Sequence, residues 1–168
     1  NPSNVCMFKD LTSKSPMCEG TILNLDLFDV VQQAKAFDQN FQDTPNKKGE
    51  TVIAVPPTGV IFHETRCGST LAANLLAGFA PDQSRVYSEA LPPVIALRAC
   101  DIHQCNPSLH TQLIRDVVYM MARKKVDTTQ DKEQYLFFKI LSGVLNIDKW
   151  TEAFPDVPWT YLYRDSVE

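Results

Sequence analysis

Residues 60 to 79, VIFHETRCGSTLAANLLAGF, change hydrophobic period midway. Val60, Ile61 and Phe62 form a short apolar run, which predicts a buried strand. A polar turn with one glycine, Gly68, follows, and then Leu71, Leu75, Leu76 and Phe79 recur like the apolar face of a helix. Ala80-Pro81-Asp82 ends that helix. Upstream, Leu27, Val30, Val31, Ala34, Phe37 and Phe41 predict an amphipathic helix from Asp26 that packs over a sheet. DTPNKKGE (43 to 50) reads as a loop, and Thr51 to Val55 is a β-branched run stopped by Pro56-Pro57. Downstream, Arg85 to Ser88 reads as a second strand with Glu89 at its C-terminal end. Asn106-Pro107 starts a helix with a capping side chain and a proline in the first turn. Leu109, Leu113, Ile114, Val117, Val118 and Met121 form its apolar face, and Arg123 to Lys125 suit its C-terminal end. VDTTQDKEQ (126 to 134) reads as a solvated loop. Tyr135 to Leu141 is almost wholly apolar, as in a strand buried on both faces. A short helix through Ile147, Trp150 and Phe154 stops at Pro155, and Trp159 to Tyr163 forms the last strand, leading to Arg164-Asp165.

This alternation of strands and helices predicts an α/β fold in three layers, a mostly parallel sheet with flanking helices. Residues 1–20, rich in proline and small polar residues, read as an irregular N-terminal arm, and 21–168 as the α/β domain. Ligands in such sheets bind beyond the carboxyl ends of the strands. The turn after Phe62, Glu89 and Arg164 each follow a strand and are expected to converge on one edge.

The 168 residues suit one domain, and 44% hydrophobic content is enough for a core. A net charge of −4 does not support a nucleic-acid binder, though a local basic cluster can still hold a small anion. No apolar run approaches a membrane span, and neither a signal peptide nor a repeat is evident. A start at Asn1 and a stop just past a strand-like run lead us to expect a fragment truncated at the C-terminus. Of the five cysteines, Cys6/Cys18 and Cys100/Cys105 could each close a small loop and leave Cys67 free, or all could be reduced thiols. Cys100, His103 and Cys105 make a poor zinc set without a fourth ligand. His103 and His110 read as surface or loop residues.

Strand, tight turn and helix start together make an anion site: free N–H groups of the first helical turn and the helix dipole both favour negative charge. Arg66 adds a fixed positive charge, and Ser69 and Thr70 add hydroxyl donors. Against the nucleotide-hydrolase loop G-x-x-x-x-G-K-[ST], Gly68 takes the second glycine position, His63 the first, Ser69 the lysine position and Thr70 the last. The cradle survives, but the lysine that normally reaches the β/γ-phosphates is replaced by Arg66, two residues before the glycine.

TRCGST resembles the phosphosulfate-binding loop of sulfotransferases. YSEALPP (87 to 93) is similar to the S-E-P segment that follows the loop in many Golgi-type members, and FPDVPWTYLYRDSVE (154 to 168) to the strand ending in Arg-Asp-Pro. The resemblance covers roughly residues 58 to 168, with the three motifs in order. It implies a P-loop nucleotide-binding, sulfotransferase-like fold. The implied activity is transfer of a sulfuryl group from 3′-phosphoadenosine 5′-phosphosulfate to a hydroxyl on a glycan, protein or small metabolite. Arg66 would hold the phosphosulfate with Cys67, Gly68, Ser69 and Thr70, and Arg164 would hold the 3′-phosphate. Ser166 replaces the family's proline, and the family's second 3′-phosphate ligand would fall beyond Glu168. Glu89 matches the Golgi-type base; Lys139 is a site-edge cation, its Lys139-Ile140-Leu141 standing where cytosolic members have K-T-H. His63 and Glu64 are alternative bases. The mechanism requires no metal. Two other readings are a sulfotransferase-like scaffold without catalysis and a P-loop small-molecule kinase. The glutamate-type site and the cysteine pairs lean towards a Golgi or secretory lumen; oligomeric state is not indicated.

Overall fold

A computed structural model describes residues 25–43, 51–101, 105–126, 132–141 and 146–165. The expected arm at 1–20, Cys6, Cys18 and His103 lie outside the described residues, as do 44–50 and 127–131 of the two expected loops.

The protein is α/β. Its main sheet is parallel throughout, in the order β3-β5-β2-β6. These strands are β2 (Gly59–His63), β3 (Ser84–Ser88), β5 (Tyr135–Leu141) and β6 (Trp159–Leu162). Every residue of β2 is buried, which is why its sequence shows no alternation. One sheet face carries the core: Val60, Phe62, Leu136, Phe138 and Ile140 pack with residues of three helices. These are α3 (Leu91–Arg98), α4 (Pro107–Ala122) and α5 (Ile147–Ala153). Trp150 is wholly buried, with its ring against Phe62, Phe138 and Phe154. Asn106 caps α4 as expected, its side chain accepting from the Ser108 N–H at 2.9 Å.

The opposite face is covered by α2 (Ser69–Phe79), which contacts β2, β3 and β5. Here the expectation is corrected. Leu71, Leu75 and Phe79 are exposed, and the helix buries its small-residue side, Ser69 and Ala73, with Leu76 half-buried. Small side chains let the helix backbone approach the sheet, which seats the first turn of α2 against the end of β2.

Three further elements differ from expectation. Helix α1 (Leu27–Asp43) forms, opened by the Asp26 carboxylate accepting from the Asp29 N–H. It buries Val31 and Ala34 of the expected apolar stripe together with Asp38 and leaves Phe37 exposed, so the buried face includes a charged residue. The cause is polar: Asp38 accepts two hydrogen bonds from Arg123 (2.7 and 2.8 Å) and one from Tyr119 (2.5 Å), and Lys35 pairs with Asp116 at 2.8 Å. Arg123 to Lys125 do not end α4. They belong to β4 (Arg123–Val126), antiparallel to β1 (Thr51–Ala54) in a separate two-stranded sheet. A cation in the last helical turn contributes only about 0.3–1 kcal/mol; a strand ladder plus a two-pronged Arg123–Asp38 pair outweighs it. Helix α3, with prolines in its first turn, was not foreseen.

Cys100 and Cys105 form a disulfide, and Cys67 is free. With both sulfurs bonded to each other, neither serves as a zinc thiolate. His110 is not a loop residue: it sits on α4, half-buried, with Nε2 2.9 Å from the Ala96 carbonyl oxygen. No described helix is long and apolar enough to cross a membrane.

Candidate functional site

The helix that follows β2, α2, lies on one sheet face, and the helix that follows β5, α5, lies on the other. Adjacent strands whose connections diverge open a crevice at their C-terminal ends, the usual place for a ligand in a parallel sheet. His63 ends β2, Lys139 lies near the end of β5, and Glu89 follows β3 directly.

The five residues from Glu64 to Gly68 join β2 to α2. Arg66 (φ 58°) and Gly68 (φ 89°) are both left-handed. Glycine adopts this freely, whereas at Arg66 it costs about 1–2 kcal/mol. The Glu64 carbonyl gathers the loop: it accepts from the His63 Nδ1–H at 2.8 Å and from the Cys67 thiol at 3.0 Å. The loop is tied to β6 by Glu64 N–H to Leu162 O (3.1 Å) and by the Tyr161 hydroxyl on the Glu64 carboxylate (2.5 Å). That last bond, with burial and the carboxylate charge, pushes the Tyr161 pKa up to about 12. Gly68 O accepts the first bonds of α2, from the amides of Leu71 and Ala72. The earlier amides of the turn are left to a ligand or to water.

Ser69 is buried, and its Oγ lies 3.0 Å from His63 Nδ1. A carbonyl oxygen only accepts, so the contact with Glu64 requires the ring proton on Nδ1. Ser69 Oγ then accepts a share of that proton and keeps its own hydrogen to donate. Thr70 and Arg66 are exposed. Arg66 forms no ion pair or hydrogen bond among the described residues. Arg164, also exposed, stands two residues beyond β6, whose last carbonyl holds the loop.

Behind the loop lies a buried polar cluster. Parallel register places Ser88, Lys139 and Ile61 side by side on the α2 face. Lys139 has a side chain 0% exposed, with Nζ 2.8 Å from Glu89 Oε1. This is an ion pair by distance, but Nζ lacks the alignment of a hydrogen bond to any acceptor. The Glu89 carboxylate is 23% exposed and also lies 3.7 Å from His63 Nε2. Glu89 is the other left-handed non-glycine residue (φ 57°), and its N–H donates to the Lys139 carbonyl at 2.8 Å, which turns its side chain back over β5. His63 Nε2, Lys139 Nζ and Ser88 Oγ are all buried without a hydrogen-bond partner among the described residues. Burial holds the His63 pKa below its ordinary 6.5, and nearby Lys139 lowers it further; the Glu64 carbonyl and Glu89 oppose this only in part.

Of the residues singled out from sequence, Ser69, His63, Glu89 and Lys139 form one connected chain of contacts. Cys67 turns its thiol back onto the loop, and Glu64 is held by Tyr161. Arg66, Thr70 and Arg164 rim the same sheet edge without meeting that chain of contacts. Lys139 is not at the edge of the site but beneath it. Ser88 and Tyr161 were missed. Ser88 is a small polar residue beside a lysine only once the β3–β5 register is known, and no sequence signal singles out Tyr161.

No protein-family model, curated protein or solved structure matches this chain. The functional reading therefore rests on the geometry of the crevice and on the motif resemblance.

Proposed function

We propose that this crevice binds a phosphorylated sulfuryl donor, 3′-phosphoadenosine 5′-phosphosulfate, and passes its sulfuryl group to a hydroxyl acceptor, on a P-loop, sulfotransferase-like fold. The observation that carries the reading is Lys139: a buried cation paired with Glu89 but without an aligned hydrogen-bond acceptor among the described residues, beneath a loop that opens a helix. A buried ammonium is costly unless its donors are filled, and an anionic oxygen in the crevice would fill them. Unpaired helical amides, Arg66 and the Ser69 and Thr70 hydroxyls would hold the phosphosulfate, with Gly68 allowing close backbone approach. Arg164 would take the 3′-phosphate with its two-pronged guanidinium. As the S–O bond breaks, Lys139 and the loop amides would stabilise charge on the departing phosphate oxygen.

The test is calorimetric titration with 3′,5′-adenosine bisphosphate, with ATP plus magnesium alongside. We expect preference for the bisphosphate and weaker binding in Arg66→Gly and Arg164→Ala. Glycine suits position 66 because it keeps the left-handed turn while removing the charge. Losing one charge-assisted contact weakens binding by about 1.5–3 kcal/mol, roughly 10- to 150-fold. Preference for ATP with magnesium would replace this reading with a small-molecule kinase. Binding of neither would leave a scaffold.

A further inference from the structure

We infer that His63 Nε2, rather than the Glu89 carboxylate, accepts the proton of the attacking hydroxyl, with Glu89 placed to offset the charge that His63 then carries. The inference rests on the sulfuryl-transfer reading above and assigns its proton step. Two bonds carry it. The Glu64 carbonyl requires the ring proton on Nδ1, so in the neutral ring Nε2 presents a bare lone pair. That lone pair is buried, has no hydrogen-bond partner, and faces Glu89 Oε1 at 3.7 Å. With the ring neutral, that lone pair lacks a donor, and a hydroxyl that gives its single proton to Nε2 would supply one. Glu89 is already committed to Lys139 at 2.8 Å. Nε2, by contrast, has no hydrogen-bond partner among the described residues.

The charged and polar groups facing His63 are Glu89 after β3, Lys139 on β5, Ser69 on α2 and the Glu64 carbonyl of its own loop. In the step, the acceptor oxygen forms a bond to sulfur while the S–O bond to the donor phosphate breaks. The electron pair leaves on the phosphate oxygen, and the acceptor's proton moves to Nε2. The resulting imidazolium lies beside the Glu89 carboxylate and later releases its proton to solvent.

The test uses the whole chain and water as the acceptor, with release of 3′,5′-adenosine bisphosphate from the donor as the readout. His63→Asn keeps an amide nitrogen near the Nδ1 position, so the Glu64 and Ser69 contacts persist without a base at Nε2. His63→Gln removes the base while keeping a polar atom near Nε2. We expect both to lower turnover by about 10²- to 10⁴-fold while bisphosphate binding stays within about threefold of wild type. In the wild-type chain, turnover should rise with pH through a midpoint below 6.5, because burial disfavours the charged ring. Nitrogen-15 NMR, with His63 assigned from its absence in His63→Asn, should find a neutral ring at pH 7 protonated on Nδ1.

Turnover that survives in His63→Asn overturns the inference and leaves the donor-site reading standing. A proton on Nε2, or an imidazolium at pH 7, overturns it without reference to turnover. Loss of bisphosphate binding in parallel with turnover in both variants assigns His63 to holding the loop and overturns it too. No donor turnover in wild type with bisphosphate still bound overturns the transfer reading, and the proton step with it.

Discussion

Replacing Glu89 with glutamine is expected to destabilise the fold by about 3–5 kcal/mol, the usual loss when one partner of a buried ion pair is removed. Lys139 has no exposed surface and no other acceptor among the described residues, so its charge is left uncompensated beneath α2. At about 2–4 °C per kcal/mol for a domain of this size, Tm should fall by roughly 6–20 °C. Lys139→Met should cost less. The stranded carboxylate is 23% exposed and can reach water, and the methionine chain can occupy the sheet face. Thermal melts of the two variants check the asymmetry, and the reverse order would show that Glu89 is the more dependent partner. The same pair reports on the ligand. If an anion in the crevice meets Lys139, saturating bisphosphate should recover part of the Glu89→Gln loss, about 2.7 kcal/mol at 100 times Kd. At the same bisphosphate concentration it should recover less in Lys139→Met, whose Kd is raised by the lost contact.

Asp38→Ala is the second large effect. Among its described residues α1 buries the apolar side chains of Val31 and Ala34, and it is further held by Asp38 on Arg123 and Tyr119 and by Lys35 on Asp116. Removing the carboxylate leaves a guanidinium and a phenol without their acceptor, a loss of about 3 kcal/mol. Because the contacts are local to one helix, the loss should appear as faster amide exchange in α1 while β2 and β5 stay protected.

The pH dependence follows from the same cluster. Burial pushes the Asp38 pKa up, but its bonds to Arg123 and Tyr119 outweigh that and leave it below 3.8. A depressed carboxylate contributes stability that is complete above its unfolded value and is lost as pH falls through the folded one. Burial and the Asp38 bond push Tyr119 up from 10.0 to about 12. A raised pKa contributes stability that is complete below the unfolded value and is lost as pH rises through the folded one. Protection of α1 should therefore be flat between about pH 4 and pH 10 and fall away on both sides. Asp38→Ala should remove the acid limb. An α1 equally protected in the variant would mean the apolar contacts alone hold it.

Much of the layout was legible without coordinates. Val60-Ile61-Phe62 and the YLFFKIL run announce buried parallel strands because both faces of such a strand meet apolar layers, which removes alternation. Asn106-Pro107 announces α4 because capping is a local event, complete within three residues. The turn at Gly68 was visible as a strand-to-helix junction for the same reason. Elements settled by neighbours were not. Arg123 to Lys125 carry the composition of a helix end, and only the arrival of β1 and Asp38 turns them into a strand. The leucines of α2 read as a core face, yet the small residues are buried, because how closely a helix approaches a sheet is a property of both surfaces.

The site divides the same way. Residue pattern alone was enough to place a loop with one glycine and one arginine between a buried strand and a helix, and to put Glu89 and Arg164 on the same edge of the sheet. Those are consequences of element order in a parallel sheet. Packing and strand pairing were needed to place Lys139 inward beneath the loop, to pair Glu89 with it, and to set His63 Nε2 facing that carboxylate without a hydrogen-bond partner among the described residues. Strand register sets which side chains share a face, and register is fixed by pairing between segments that lie far apart in the chain. No reading of one strand at a time contains it.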